Sequence, residues 1–376
     1  MLYNMFMSKI TYKFRIYPTK HQERLLSQNL EECRWLYNYF LEQRKTSYES
    51  DGKSLSLYDQ IKQLPSIKNN KPSLKCVYSN VLQNVPVRID LAFQAFFRRA
   101  KNKENPGYPR FRGKDRYDSI CYPQYGNGCK VTGNILHLSK IGDVYVVKHR
   151  EIEGVPKNIT VKKSSTDKWY ITIVCDNYEP EPLPKIDNSI GIDVGLESFA
   201  TYSDGTKIIN PRFFRKEEKE LAKVQRKLSK QSNGSKERAK TRKAVSKIHE
   251  RIKNKRNNFC HQLSRKIVNE FNTICVEDLN INNMLKTHCL AKSISDAGWR
   301  QFVQFLIYKA EYADRQVVQI NPAYTSQDCS QCGYRVSKKL GDRMHNCPNC
   351  GLSIDRDVNA SLNVLRIGTY SQIKTL

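Results

Sequence analysis

The chain has 376 residues, with 64 Lys and Arg against 37 Asp and Glu, which gives a formal net charge of +27. An excess of this size predicts a polyanionic partner. Hydrophobic residues make up 39% of the sequence, which excludes a wholly disordered basic tail and predicts two or three domains. No apolar run reaches about 18 residues, and the first residues lack a secretory pattern, so we expect a cytosolic protein.

The first half of the sequence predicts a sheet interrupted by helices. Residues 11–17 alternate basic with aromatic or aliphatic side chains, which is typical of a strand with one buried face. Thr19, with a glutamine three residues later, predicts a capping box, and apolar spacing predicts further helices around 57–64 and 79–97. Four short strand-like runs lie at 135–138, 144–147, 159–163 and 169–175. Together with 11–17 they predict a small β-barrel or sheet.

Residues 98–116 form a basic segment between these helices and strands. It holds eight Lys and Arg against two acids, interleaved with Pro, Gly, Tyr and Phe. Cations alternating with aromatic rings suit phosphate contact and base stacking, whereas the alternative is a solvated loop. The candidate nucleic-acid contacts here are Arg98, Arg99, Arg110, Arg112 and Lys114.

A Pro-rich linker at 180–184 predicts the start of a second domain. The apolar strand 189–195 is followed by runs 199–203 and 206–209 around an Asp-Gly turn, which predicts an antiparallel meander. Later elements are strands at 273–276 and 317–320, a helix that begins at a cap on Asp296, and a last helix from 355–360 to near Ile367.

Residues 212–256 hold eighteen Lys and Arg against five Glu, about half of the net charge. Apolar stripes on either side of 232–234 predict a long helical hairpin with a cationic outer face. A solvated helix pair is the alternative, but this charge density favours a nucleic-acid face. The candidate contacts are Lys223, Arg226, Lys227, Arg242, Lys243, Arg251 and Arg256.

Three carboxylates occupy unusual positions. Asp193 lies inside an apolar strand, Glu277 ends another, and Asp357 lies where a helix starts. A carboxylate in an apolar strand is costly unless a cation meets it, and Mg²⁺ prefers oxygen ligands, so these residues are candidate ligands of a two-metal site for phosphodiester hydrolysis. Taken singly, such acids are more often surface residues or caps. We assign Asp204, Asp278 and Asp355 to that ordinary class.

Four of the twelve cysteines form two Cys-x-x-Cys pairs, separated by fourteen residues: Cys329, Cys332, Cys347 and Cys350. Two such knuckles predict a closed, tetrahedral, structural Zn²⁺ site. A redox pair or an iron–sulfur cluster is the less favoured alternative. The other eight cysteines are scattered and predict small core residues or free thiols.

The order of these motifs resembles that of the TnpB family, the transposon-encoded proteins also called OrfB transposases and related to type V CRISPR effectors. The matching segments are 191–196 (GIDVGL), 276–280 (VEDLN), 324–333 (YTSQDCSQCG), 347–351 (CPNCG), 355–360 (DRDVNA), 14–19 (FRIYPT) and 108–112 (YPRFR). The resemblance covers nearly the whole chain. Met1–Ser8 extends beyond the usual start, so Met7 is an alternative initiator.

The resemblance implies an α/β and β architecture, in which an N-terminal wedge-like β-barrel with an inserted helical recognition domain precedes a RuvC-like RNase H fold with an inserted zinc ribbon. The expected boundaries are 1–18 for the first barrel strand, 19–115 for the helical domain, 116–184 for the rest of the barrel, 185–325 for the RuvC-like domain with its basic hairpin at 212–271, 326–353 for the ribbon and 354–376 for the final RuvC segment.

The resemblance also implies an activity, that of an RNA-guided DNA endonuclease. A guide RNA from the transposon end pairs with target DNA beside a short motif, while Asp193, Glu277 and Asp357 hold two Mg²⁺ or Mn²⁺ ions and the four cysteines hold one Zn²⁺. Both Asp355 and Asp357 fit the last motif, and geometry must separate them. We expect a monomer that works in a prokaryotic cytosol or nucleoid, without a membrane.

Two alternatives remain open from the sequence. One is a nuclease-inactive regulator or repressor that binds nucleic acid without cutting it. The other is a strand-joining transposase, although the sequence shows neither an HUH motif nor a clear tyrosine nucleophile.

Overall fold

The computed structural model describes residues 8–339 and 341–373, so the alternative start at Met7 lies outside the described residues. The chain divides between Glu179 and Pro180 into two compact units, close to the predicted linker. Among the described residues, no helix has both the length and the apolar character needed to cross a membrane.

The first unit combines a seven-stranded sheet with three long helices. Its strands are β1 (Ser8–Tyr17), β2 (Ser119–Tyr122), β3 (Cys129–Thr132), β4 (Ile135–Leu138), β5 (Gly142–Val147), β6 (Val155–Lys163) and β7 (Trp169–Tyr178). Its helices are α1 (Lys20–Asp51), α2 (Leu57–Asn70) and α3 (Ser79–Lys101), with a 3₁₀ turn at Pro72–Cys76. The predicted β1, the helices and the last four strands are confirmed. β2 and β3, of four residues each, were not predicted.

All neighbouring strands in this sheet are antiparallel, in the order β2-β6-β7-β1-β5-β4-β3. Tyr125 links the strands near the two edges, because its N–H donates to Lys157 O of β6 at 2.8 Å and its hydroxyl bonds the N–H and C=O of Val131 in β3. The sheet is therefore nearly closed and barrel-like. The inward side chains of β1, Tyr12, Phe14 and Ile16, are fully buried in its core, as their alternation predicts.

The sequence signals that begin α1 act as expected. The Thr19 hydroxyl accepts from the N–H of Gln22, and the Gln22 side chain accepts from the N–H of Thr19, which completes the predicted capping box. The apolar stripe of α1 is buried through Leu26, Cys33 and Phe40. Burial of this stripe, rather than intrinsic propensity, accounts for most of the stability of such a helix.

The second unit is built on a five-stranded sheet. Its strands are β8 (Ser189–Asp193), β9 (Ser198–Tyr202), β10 (Lys207–Ile209), β11 (Thr273–Glu277) and β12 (Gln316–Ile320), and a small ribbon adds β13 (Met344–Asn346) and β14 (Ser353–Asp355). Its helices are α4 (Phe213–Ser229), α5 (Lys236–Glu270), α6 (Ile281–Met284), α7 (His288–Ala297), α8 (Trp299–Tyr312) and α9 (Arg356–Ile373).

The main sheet has the order β10-β9-β8-β11-β12. The β8-β9-β10 meander is antiparallel, as predicted, whereas β11 is parallel to both β8 and β12. The carboxyl ends of β8, β11 and β12 therefore meet at one edge of the sheet. The basic hairpin forms from α4 and α5, which pack together through Leu221, Ile248 and Ile252.

Two expectations for this unit are wrong. Asp296 does not begin a helix; it lies inside α7, and α8 begins after Gly298, whose positive φ of 73° makes the break. Instead, the Asp296 carboxylate caps α4 from a distance, accepting the N–H of Phe214 at 2.9 Å. A tertiary cap of this kind leaves no local sequence signal. The last helix also continues beyond Ile367, to Ile373.

Candidate functional site

Strand register brings two of the three candidate carboxylates to the same edge of the sheet. In the parallel pair, Val276 of β11 lies opposite Ile192 of β8. Asp193 and Glu277 are the next residues of the two strands, and each ends its strand. Neighbouring strands lie about 4.8 Å apart, so the two carboxylates lie side by side.

The third carboxylate arrives on α9, which packs directly on this sheet because two glycines allow close approach. A Cβ placed on Gly191 of β8 would lie 2.1 Å from Ser361 O of α9, and a Cβ on Gly368 would lie 2.3 Å from Cys275 Sγ of β11. Asp357 precedes Ser361 by about one helical turn, and Asp193 follows Gly191 by two strand residues. These offsets are similar in length, and the charge of Asp357 acts on Asp193, so the two carboxylates lie near each other.

The electrostatics of Asp193 reflect this clustering. Burial raises the pKa of Asp193 well above its usual value, and the negative charges of Glu277 and Asp357 raise it further, while Arg356 opposes them. Within the described residues, no side chain donates a hydrogen bond to this carboxylate. The carboxylates of this cluster repel one another and offer only oxygen atoms as metal ligands. Mg²⁺ prefers oxygen ligands, and these residues therefore fit such an ion.

Glu277 is held by a neighbour from the loop after β12. Its side chain is 9% exposed, and its Oε1 accepts a hydrogen bond from the Thr325 hydroxyl at 2.6 Å. Burial raises the pKa of Glu277, and the hydrogen bond from Thr325 opposes that rise. Thr325 lies in the 324–333 motif, and no pattern in the sequence links it to Glu277.

The geometry separates the two acids of the last motif. Asp355 accepts the N–H groups of Asp357 and Val358 at 3.0 and 3.2 Å, and its other oxygen pairs with Lys207 at 2.7 Å. Asp355 is therefore the cap of α9, and Lys207 lowers its pKa against the effect of partial burial. The Asp357 carboxylate instead meets Arg356, at 3.0 Å.

The three carboxylates are spaced more widely than the ligands of a single ion. Throughout 8–339 and 341–373, only the four cysteines bring three or more ligand atoms within 4.8 Å of one another. Wider spacing suits two ions about 3.5–4 Å apart, which share bridging ligands.

The four cysteines form one compact cluster, and all four are free thiols. Cys329 Sγ lies 3.6 Å from Cys350 Sγ, and Cys332 Sγ lies 3.5 Å from Cys347 Sγ. These distances exceed a disulfide bond and are close to the sulfur separation around a tetrahedral ion with metal–sulfur bonds of about 2.3 Å. A hydrogen bond from Asn349 lowers the pKa of Cys332 to about 6, whereas desolvation and hydrogen bonds with the other three thiols raise the pKa of Cys350 to about 12.

The two knuckles have the same backbone design. The N–H of Gly333 donates to Cys329 O at 2.9 Å, and the N–H of Gly351 donates to Cys347 O at 3.0 Å. Both glycines have φ of +76°, a conformation that side chains rarely adopt. The repeated turn presents each pair of sulfurs to a common point.

The candidate nucleic-acid contacts fall into two groups, one in each unit. Arg98 and Arg99 end α3, and Arg110, Arg112 and Lys114 lie in the loop that follows it. The other seven lie on α4 and α5.

Arg251 and Arg256 form ion pairs with acidic side chains of the protein. Arg251 pairs with Glu217 at 2.8 Å and with Glu220 at 3.2 Å, and Arg256 pairs with Asp296 at 3.0 Å. Their charges are partly neutralised within the protein. The sequence could not reveal this, since the acids lie far away along the chain.

Comparisons with known proteins agree with this architecture. Three family models match, described as "Probable transposase" (residues 172–288), "Cas12f1-like, TNB domain" (299–364) and "Helix-turn-helix domain" (5–53). A Streptomyces pristinaespiralis protein named "Putative RNA-guided DNA endonuclease" is 33% identical over 96% of this chain and 89% of its own length. The Escherichia coli protein "Putative RNA-guided DNA endonuclease InsQ" is 29% identical over 95% and 92%.

Among solved structures, a Cas12f1 chain from a complex with guide RNA and target DNA superposes with a TM-score of 0.56. It covers 95% of this chain and 98% of its own length, at 14% identity. That likeness shows a Cas12f-like fold of mixed helices and sheets. Three TnpB-like proteins of Acanthamoeba polyphaga mimivirus are also similar in sequence over 95% of this chain. The chain belongs to the TnpB family, as its sequence motifs predict.

Proposed function

We propose that this protein is a transposon-encoded, RNA-guided DNA endonuclease. The observation that carries the proposal is the convergence of Asp193, Glu277 and Asp357, from β8, β11 and α9, at one edge of a sheet. The relatives named as RNA-guided DNA endonucleases support the same activity for this chain.

The second unit serves as the nuclease domain in this proposal. Its strand order, an antiparallel meander followed by two parallel strands, supports the RuvC-like RNase H fold implied by the motifs. The edge where the parallel strands end is where such folds bind ligands. The proposed domain boundaries within each unit remain those expected from the sequence.

Asp193, Glu277 and Asp357 would hold two Mg²⁺ or Mn²⁺ ions. Bound there, the ions supply activation of water and stabilise the leaving oxygen in phosphodiester hydrolysis. The protein holds the three carboxylates in fixed positions: the sheet sets Asp193 beside Glu277, α9 brings Asp357, and Thr325 fixes the Glu277 carboxylate. Asp357 rather than Asp355 is the third ligand in this proposal, since Asp355 is used as a helix cap.

The four cysteines would hold one Zn²⁺ in a structural site. Four sulfurs fill its coordination sphere and leave no open position for substrate, so this ion supplies folding stability rather than chemistry. The ribbon that it stabilises packs on α9, beside the carboxylates.

Guide RNA and target DNA would bind along the cationic segments at 98–116 and 212–256. In an RNA-guided nuclease, base pairing supplies sequence specificity, and the protein contacts the phosphate backbone and the shape of the heteroduplex. Lys223 and Lys227 of α4 are exposed and form no ion pair with any residue that the structure describes, so they suit this role better than Arg251.

Sequencing the RNA that co-purifies with the protein tests this function. We expect one RNA species from the transposon end, whose 3′ portion matches a target. A nuclease-inactive regulator would bind RNA and occupy its target without cutting under any divalent ion. Absence of a specific RNA would refute RNA guidance.

A further inference from the structure

Thr325 lies where the nuclease sheet and the cysteine ribbon meet. It follows β12 by a short loop and precedes the first knuckle by four residues, and its side chain is 3% exposed. Its hydroxyl lies 2.6 Å from Glu277 Oε1 and 3.1 Å from Pro322 O. A hydroxyl has one proton to donate, and both neighbours are acceptors.

The Thr325 hydroxyl donates its hydrogen bond to Glu277 rather than to Pro322 O. The separation of 2.6 Å falls in the range of a charge-assisted O–H to carboxylate bond, whereas 3.1 Å to Pro322 O is a weaker contact. A buried donor of this strength selects one orientation of the Glu277 carboxyl and favours its ionised form. Hydrogen bonds of this kind orient the carboxylate ligands of metal ions.

Two buried asparagines of α9 connect Thr325 to the start of the ribbon, and Asn363 bonds Thr325 itself. Asn363 Nδ2 donates to Thr325 O at 2.9 Å and to Asp328 O at 2.7 Å. Asn359, one turn earlier, donates to Asp328 O at 2.8 Å and accepts the N–H of Ser330 at 2.9 Å. A continuous set of hydrogen bonds therefore joins Glu277 to the residue that follows Cys329.

The backbone at this point is strained and is braced from the ribbon. Tyr324, directly before Thr325, has φ of +67°, which is unfavourable for an aromatic residue. The Arg335 guanidinium stacks on the Tyr324 ring at 3.5 Å and pairs with Asp328 at 2.7 Å. Arg335 comes from the ribbon, so the folded ribbon holds the conformation that presents the Thr325 hydroxyl.

We propose that Thr325 is a positioning residue for Glu277, and that Asn359 and Asn363 make this positioning depend on the folded cysteine ribbon. This inference rests on the proposed nuclease function for its meaning in catalysis. Its physical content is a prediction about divalent-ion binding, which can be measured without cleavage.

The test compares four variants of the full-length, zinc-loaded protein. Thr325→Val removes the hydroxyl and keeps the shape, Thr325→Ser restores the hydroxyl, and Asn363→Ala removes the support from α9. Thr369→Val is the matched control, because within the described part of the chain the Thr369 hydroxyl bonds only Leu365 O and Arg366 O of its own helix. Melting temperature and RNA binding report whether each variant is folded.

Two readouts are needed. Isothermal titration calorimetry with Mn²⁺ measures ion affinity directly. The Mg²⁺ dependence of single-turnover plasmid cleavage by the ribonucleoprotein measures the effect of ion binding on the cleavage rate. We expect Thr325→Val to weaken ion affinity and to slow cleavage by about 10–100-fold each, as for other residues that orient metal ligands. Thr325→Ser should stay near wild type, Asn363→Ala should shift in the direction of Thr325→Val, and Thr369→Val should be unchanged.

Each result decides a separate point. Wild-type ion affinity in a folded Thr325→Val protein would overturn the positioning role, as would equal losses in the Val and Ser variants. Unchanged affinity in Asn363→Ala would overturn the link to the ribbon. If the Mn²⁺ affinity depends on the Thr325 hydroxyl but the wild type cuts no DNA, the proposed function fails while the positioning role stands. If it binds no Mn²⁺, both fail.

Discussion

Gly191 is the residue that lets α9 lie directly on β8, and replacing it with alanine tests how Asp357 reaches the site. The added Cβ would lie 2.1 Å from Ser361 O, 2.6 Å from Leu365 N and 2.8 Å from Leu365 Cβ. All three atoms belong to α9, and two of them are backbone atoms that cannot swing aside. Relief therefore requires the helix to move away from the strand by about 1 Å.

Such a displacement has two expected effects. Overpacking of this kind costs about 1–3 kcal/mol of unfolding free energy. Because Asp357 lies one turn from Ser361, it moves with the helix, and a misplacement of about 1 Å in a catalytic group costs roughly 100-fold in rate. We therefore expect Gly191→Ala to lose much more activity than its modest loss of stability explains.

The assay is single-turnover cleavage of a guide-matched plasmid, run well below the melting temperature of the variant. Thermal denaturation and RNA binding are measured on the same preparation. Gly341→Ala is the control, because nothing lies within 4 Å of its added Cβ and its φ is not positive. A Gly191→Ala protein that melts and cuts like wild type would refute the packing argument.

Three further predictions concern the metal sites and the basic hairpin. Cys347→Ser should reduce the zinc content from one ion to none and lower the melting temperature, as measured by elemental analysis and calorimetry. The pKa values of Asp193 and Glu277 are raised in the folded state, so the unfolded chain loses these protons at lower pH than the folded protein does. The stability of metal-free protein should therefore fall as pH rises above about 4 towards those raised values. Asp193→Asn should therefore raise the melting temperature of metal-free protein at neutral pH and remove its stabilisation by Mg²⁺. A folded, metal-free Asp193→Asn protein that melts at a lower temperature than the wild type would contradict this. Lys227→Ala should weaken RNA binding and reduce its salt dependence more than Arg251→Ala, whose charge already meets Glu217 and Glu220, as measured by binding titrations at several salt concentrations; equal effects would contradict this.

Much of this architecture could be predicted from the sequence because its signals are local. The alternation in β1, the capping box at Thr19 and the apolar stripes of α1 and the basic hairpin each describe one element and its buried face. The paired cysteines likewise predict their own cluster, since two knuckles of fixed spacing need only a fold that brings them together. These features are predictable because the local sequence pattern and the tertiary structure agree.

What the sequence could not provide is set by contacts between distant residues. Asp296 reads as a local helix cap, yet it caps α4 from another element, and Arg251 reads as a free cation, yet it meets acids of α4. Thr325 gained a role only when its distance to Glu277 was known. In the same way, only the hydrogen bonds of Asp355 distinguish it from Asp357, which follows it by two residues.

Plasmid cleavage by the purified ribonucleoprotein tests the central claim most directly. With Mg²⁺ and a guide that matches the plasmid, we expect the wild-type protein to cut, and a guide of unrelated sequence to abolish cutting. Asp193→Ala and Glu277→Ala should retain the guide RNA and lose cleavage. Cleavage that survives either substitution, or that ignores the guide sequence, would contradict an RNA-guided nuclease centre at this sheet edge.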